Sequence, residues 1–360
     1  MAAGCDYQLR YQKKEKKGNP ADSALMLTKL FLKKKFEEYY SKNEVELPRK
    51  FKNREFAFVP LELLPDFVMH RHISFRSETD FRAYILSNVP AHIYFSSAYY
   101  ERPAEDKMEN KGWLGADLIF DIDADHLPVK AQSFEKALEM AKREIKKLTA
   151  VLRADFGIRD MKIYFSGGRG YHVHVHDEEF LSLGSAERRE IVDYLRLNSP
   201  KIVVEDRFAN SNAAKRVLNY LRKKLEEDER LTSKLKIKPA DLKKEKLTKK
   251  VIRAVEKFDY SALSIYIDAP VTADVKRLIR LPGSLHGKTG LRVTEVEDIE
   301  SFNPLKDALA FGDEAVVVKV ARKLNLSIGD FSGKIYPGRV KLPEYAAVFL
   351  ICRGDASYDS

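Results

Sequence analysis

Cysteine is nearly missing from this chain: there are two in 360 residues, Cys5 and Cys352, near opposite ends. That count excludes a disulfide framework and a cysteine-rich zinc finger. Long apolar runs are missing too. The longest, "YAAVFLIC" (Tyr345 to Cys352), falls far short of the ~20 residues that a membrane-spanning helix needs. The basic "KKEKK" near the start has no apolar stretch behind it, so no secretory signal is visible. The expectation is an intracellular protein without a membrane partner. An acidic excess is absent as well: 64 Lys and Arg stand against 54 Asp and Glu, a net charge of +10. Basic excess speaks to partners and not to fold, and nucleic acid comes first among polyanions. What is present is ordinary globular material, 44% hydrophobic and 33% charged, in a chain long enough for one large domain or two modest ones.

No internal repeat interrupts the reading. Residues 1–24 are polar and read as a poorly ordered extension. From Leu25 to Tyr40, apolar Leu27, Leu30, Phe31 and Phe36 predict a helix with a lysine-rich outer face. "REFAFVP", "HRHISF" and "AHIYFSSAYY" alternate as short strands do, and "GADLIFDIDAD" predicts a strand from Ala116 to about Asp123. Ser133 opens an amphipathic helix to about Arg153, with Ala137, Leu138, Ala141, Ile145, Leu148 and Leu152 along one stripe and Gly157 beyond its end. "MKIYF" and "YHVHV" predict strands on either side of a glycine turn. Residues 199–257 turn to Lys, Glu and Leu and read as a small helical insertion. Strands resume at "SIYIDAP" and "GLRVTEV", and a last helix is expected from Asp313 to Leu324. The pattern predicts a mixed α/β fold, α+β in character, with a catalytic core of 25–198 and 258–360 around the 199–257 insertion.

Three clusters carry chemistry. In "FDIDAD", Asp121 and Asp123 share one strand face while Phe120 and Ile122 point into the core. Like charges side by side repel unless a cation neutralises them, and all-oxygen sites suit Mg²⁺ or Mn²⁺; the competing reading is a solvated acidic strand end, and for Asp125 a loop cap. Asp268, at the end of "SIYID" with Pro270 stopping the strand, is a turn former or a third acid of a two-metal site. In "SGGRG", glycines allow backbone N–H groups to line an anion, and Ser166, Gly167 and Arg169 add a hydroxyl, a turn and a forked donor; alone, the turn could equally be a tight hairpin. No helix follows it, which excludes a dinucleotide fingerprint. "RLIRLPGSLHGKTGLRV" falls one residue short of a phosphate-binding P-loop and is not one, but its Arg280, His286 and Lys288 suit a triphosphate.

His172, His174 and His176 share a strand face, which admits a zinc hydrolase with Asp177 or His126 as a further ligand. The other reading keeps His172, beside the turn, for a phosphate and leaves His174 and His176 as framework. Arg54, Arg71 and Arg76 are either nucleotide or template contacts or plain strand-edge arginines.

"DLIFDIDAD", "SGGRGYHV" and "RLIRLPGSLHGKTGL", in this order, resemble the small catalytic subunit of archaeal DNA primase, with support from "REFAF", "YFSSAYYE" and "KGWLGADL". The resemblance spans about Leu25 to Leu350. It implies a primase fold, template-directed nucleotidyl transfer making short primers on single-stranded DNA, and nucleoside triphosphates as substrates. It further implies a large primase subunit as partner and a Mg²⁺ or Mn²⁺ pair on Asp121, Asp123 and Asp268. Ser166, Arg169, His172, Arg280, His286 and Lys288 would then meet the incoming triphosphate. The family's cysteine knuckle is missing from "HLPVKAQSFEKALEM", so no structural zinc is expected. The rival readings are a related repair or mobile-element primase-polymerase, a non-catalytic single-strand binder, and the zinc hydrolase.

Overall fold

The computed structural model describes residues 20–197, 211–243 and 247–359. Most of the expected N-terminal extension (1–19) and the first part of the expected insertion (199–210) lie outside them. Residues 20–24 belong not to an extension but to helix α1 (Pro20–Lys42), since proline at a helix start forfeits no hydrogen bond.

Two antiparallel four-stranded sheets form the centre. The first has the order β2-β1-β3-β9, from β1 (Phe56–Pro60), β2 (His70–Ile73), β3 (Pro90–Ser96) and β9 (Leu278–Arg280). The second has the order β10-β7-β8-β6, from β6 (Leu118–Asp123), β7 (Met161–Phe165), β8 (Gly170–Val175) and β10 (Thr294–Glu295). The mixed fold expected from sequence is the one observed. The alternation along β6 decides how the sheets meet. Leu118, Phe120 and Ile122 join a core with helix α3 (Phe134–Phe156), capped by the Ser133 hydroxyl and by Gly157 in the left-handed region. Ile119, on the opposite side, packs with Ile93, Phe95 and Ile279 of the first sheet. Asp121 and Asp123 share the Ile119 side, so they look into the gap between the sheets.

Buried ion pairs fix the start of β6. Arg54 is 0% exposed and donates to Asp117 at 2.6 Å, to the Tyr99 hydroxyl at 2.8 Å and to the Ser96 carbonyl at 2.7 Å. From helix α4 (Ser185–Arg196), Arg188 donates to the Ala116 and Asp117 carbonyls at 2.8 and 2.9 Å. Arg54 therefore builds the fold; it borders a small cavity with His174 and His176 but does not line the cleft described below. Arg71 pairs with Glu55 at 3.0 Å, and neither it nor Arg76 lines the cleft described below.

Three expectations fail for physical reasons. "SIYID" is extended but joins no sheet: the Ile265 N–H goes to the Leu195 carbonyl at 3.0 Å and the Asp268 N–H to the Asp121 carbonyl at 2.8 Å. Pro270 stops no strand; it opens the short helix Ala269–Ala273, with Asp268 at its N-cap. The helix expected at Asp313–Leu324 is instead two strands, Ala315–Val320 and the start of Leu324–Ile328, because three consecutive valines, 316 to 318, favour a pleated surface. In α1, Leu27 and Leu30 are 45% and 52% exposed, whereas Thr28, Phe36, Tyr39 and Tyr40 are buried. Helices Asn212–Glu227, Glu229–Leu235 and Lys249–Lys257 gather round an apolar cluster of their own, including Val217, Leu221, Leu225, Val251 and Val255.

Candidate active site

The site forms where β6 and β8 lie in register, with Asp121 opposite His172 and Asp123 opposite Gly170. A methyl on Gly170 would stand 2.1 Å from the Ile122 carbonyl oxygen, so only glycine lets the two strands meet there. The His172 Nε2 is 3.5 Å from the Asp121 carboxylate. Asp268 is held behind Asp121 by its backbone bond to β6, with its carboxylate 3.7 Å from His126. The Asp123 carboxylate accepts the Asp125 N–H at 2.9 Å. Burial, then the charges of Asp123 and Asp268, push the Asp121 carboxyl up to about 7, against the opposing pull of Arg277 and Arg280.

The glycine turn faces these acids. Its ends close through the Ser166 N–H to the Gly170 carbonyl at 3.0 Å, and the Gly168 N–H donates to the Ser166 hydroxyl at 3.3 Å. Gly167 has φ +75°, and a methyl there would meet the His286 Cβ at 2.7 Å. It does not line the cleft; Gly168 and Gly170 do. Arg169 is ion-paired with Asp125, so Asp125 is more than a loop cap.

The third wall is the basic loop, locked to the turn by the Thr289 hydroxyl, which donates to the Gly167 carbonyl at 2.5 Å. Its His286 ring meets the His92 ring edge to face at 5.0 Å. Arg280 contacts His92 Nδ1 at 2.5 Å and lies over the Tyr94 ring, its register partner, at 5.0 Å. Burial and the neighbouring Arg280 hold His172 at about 3, and burial with the flanking cations keeps His92 and His286 well below the ordinary imidazole value, so all three are neutral at pH 7. Lys288 is exposed at the wall.

One cleft of about 1290 Å³ joins these pieces, lined among others by Asp121, Asp123, Arg169, His172, Arg280 and Lys288. Ser166 and His286 also reach it, while Asp268 does not. Sequence reasoning missed His92, Tyr94, Arg277 and Thr289. The signal for the first two was a polar residue at every second place of an otherwise apolar strand, "AHIYF".

The remaining histidines take no part in this wall. His174 and His176 run in file behind His172, with rings 6.1 and 6.4 Å apart, and border a separate cavity of about 180 Å³. His174 lies between Tyr164 and Phe95, its ring 4.8 and 5.9 Å from theirs. His126 faces Asp268, and Asp177 accepts backbone N–H groups of Arg159 and Asp160, so neither completes a histidine cluster. Among the described residues, no three His, Cys, Asp or Glu side chains form a ready-made ion cage. The acids nonetheless suit a hard divalent cation: their donors are all oxygen, and added positive charge would relieve the mutual repulsion that raises Asp121.

Acids at one lip of a cleft and a cationic, glycine-lined cradle at the other are the parts of a nucleotidyltransferase. Comparison with known proteins gives the family. Residues 120–298 match the model of the DNA primase small subunit. The chain is 39% identical to the DNA primase small subunit PriS of Methanococcoides burtonii, over 92% of this chain and 98% of that protein. It is 40% identical to PriS of Methanocella arvoryzae (92% and 99% covered) and 39% identical to PriS of Thermoplasma volcanium (91% and 97%). The chain belongs to the DNA primase small subunit family, in its archaeal form, and is a primase catalytic subunit. No described helix is long and apolar enough to cross a membrane.

Proposed function

We propose that the chain performs template-directed nucleotidyl transfer on single-stranded DNA, with nucleoside triphosphates as substrates and Asp121, Asp123 and Asp268 as the catalytic acids. The observation that carries this reading is Asp121 itself: a half-buried carboxylate, crowded by two others, in the same cleft as the glycine turn and the basic loop. Asp121, Asp123 and Asp268 would hold Mg²⁺ or Mn²⁺, which when bound would acidify the attacking 3′-hydroxyl and neutralise charge at the α-phosphate. Arg280 and Lys288 neutralise the β- and γ-phosphates and the departing pyrophosphate. His172 and His286, neutral at pH 7, bond phosphate oxygens without adding charge. The Ser166 hydroxyl and the Gly168 N–H complete the cradle, with Gly167 as its hinge. Arg169 reaches the phosphates by leaving Asp125. His92 fixes Arg280 and is a positioning residue.

A large primase subunit is the expected partner, in keeping with relatives named small subunit. Two variants test the assignment in a primer-free, template-dependent incorporation assay with Mg²⁺ or Mn²⁺. Asp121→Ala is expected to abolish synthesis, and His174→Ala to retain most of it. Synthesis by Asp121→Ala, or loss of activity together with bound zinc in His174→Ala, would refute the assignment.

A further inference from the structure

Helix α1 carries two apolar faces, and the fold uses one. Phe36, Tyr39 and Tyr40 pack into the first sheet's core. Leu25, Met26 and Leu30 remain 58%, 64% and 52% exposed. With Lys29 and Lys33 they stand at i, i+1, i+4, i+5 and i+8, which is one helical face. All five line the same cleft as Asp121 and the phosphate cradle. The loop after β1 adds Leu61, Leu64 and Pro65, and Glu62, whose carboxylate lies 3.9 Å from the Lys33 ammonium and would give way to a phosphate. The cleft, about 1290 Å³, exceeds the ~300–1,000 Å³ typical of a small-ligand pocket, so it has room for more than one nucleotide.

We propose that this face of α1 is the platform for the single-stranded template. Bases lie against Leu25, Met26 and Leu30, and backbone phosphates meet Lys29 and Lys33. Aromatic stacking platforms are the commoner device for sequence-independent strand binding; here aliphatic side chains would cover the bases by burial of apolar area while the lysines meet the phosphates. The face is continuous with the acids, which places the template beside the reacting phosphate. Eight residues of helix span about 12 Å, enough for two or three nucleotides. The proposal rests on the primase reading and deepens it by naming the template wall.

The test measures binding of a fluorescein-labelled oligothymidylate to the full-length chain, apart from catalysis. Met26→Ser/Leu30→Ser is expected to weaken binding about tenfold, from the apolar area no longer buried, and to leave the thermal midpoint unchanged, since both side chains are exposed. Lys29→Ala/Lys33→Ala is expected to flatten the log–log salt dependence by about 0.7 per lysine. Leu27→Ser is the control: Leu27 is 45% exposed on the same helix but outside the cleft, and it should bind as the parent does. In an Asp121→Ala background, which makes no product, adding Met26→Ser/Leu30→Ser should still weaken strand binding, which separates this proposal from the catalytic one. A photo-crosslinker at position 26 should capture the oligonucleotide. Unchanged affinity in Met26→Ser/Leu30→Ser overturns the platform, as does capture at position 26 of only the chain's own first residues or of a protein partner.

Discussion

Gly170 bears more on the site than its size suggests. It stands opposite Asp123, and the Ile122 carbonyl occupies the space a methyl would need. Gly170→Ala must push β8 away from β6, and with it the spacing of His172 and Asp121. Overpacking of this kind costs about 1–3 kcal/mol. The expected result is a lower thermal midpoint with incorporation reduced well beyond the loss of folded protein, read by calorimetry alongside the assay. Gly157, by contrast, has open space around it, so its role is conformational alone. Residue identity at Asp121, Asp123 and Arg280 was legible in the sequence because unlike residues interrupt apolar strands there. Thr289 was not legible: nothing near it in sequence announces that its hydroxyl reaches a carbonyl 122 positions away.

Two loops that read in sequence as separate motifs form one element of the site. The glycine turn and the basic loop share the Thr289–Gly167 bond and the fit of His286 against Gly167. Thr289→Val keeps the shape and removes the bond, worth about 0.5–1.5 kcal/mol. KM for nucleotide should rise roughly two- to twelvefold with kcat nearly unchanged; an equal fall in kcat would mean that the tie serves the acids instead. Elements whose local signals agreed were readable from sequence: α3 had a serine cap, an apolar stripe and a terminal glycine, and β6 to β8 had alternation. Elements whose partners lie far away were not. The segment ending at Asp268 spends its N–H groups singly on α4, on Glu144 of α3 and on β6, so no ladder forms. The Val316–Val318 strand pairs on both sides with strands from the last residues of the chain. The outward leucines of α1 read as core because a cleft wall and a core face share one periodicity.

The molecule as a whole should be sensitive to acid. Burial holds His92, His172, His174 and His286 below the ordinary imidazole value. They are neutral in the fold and protonate in the unfolded chain near 6.5, so stability present above that pH is lost as pH falls through it. Each contributes up to about 1.4 kcal/mol per pH unit in that range. Asp121 has the opposite sign: raised to about 7, it takes up its proton in the fold first and offsets one histidine between about 4 and 7 in cation-free protein. Urea midpoints measured from pH 7.5 to 5 should therefore fall with acid, and His174→Phe should reduce the slope by about one proton.

The Asp268 N–H on the Asp121 carbonyl and the Thr289 hydroxyl on the Gly167 carbonyl tie together two halves of the site that are separated in sequence by the helices Asn212–Glu227, Glu229–Leu235 and Lys249–Lys257. Translation that stops among those helices releases a product with two acids and the glycine turn, but without the third acid or the basic loop. On the proposed roles, such a fragment keeps half of the phosphate cradle but loses Arg280, Lys288 and the third acid, and with them the chemistry. A prematurely terminated chain would then make no primer while keeping the α1 face proposed for the template, so early stop codons in its gene should yield products able to occupy template without extending it.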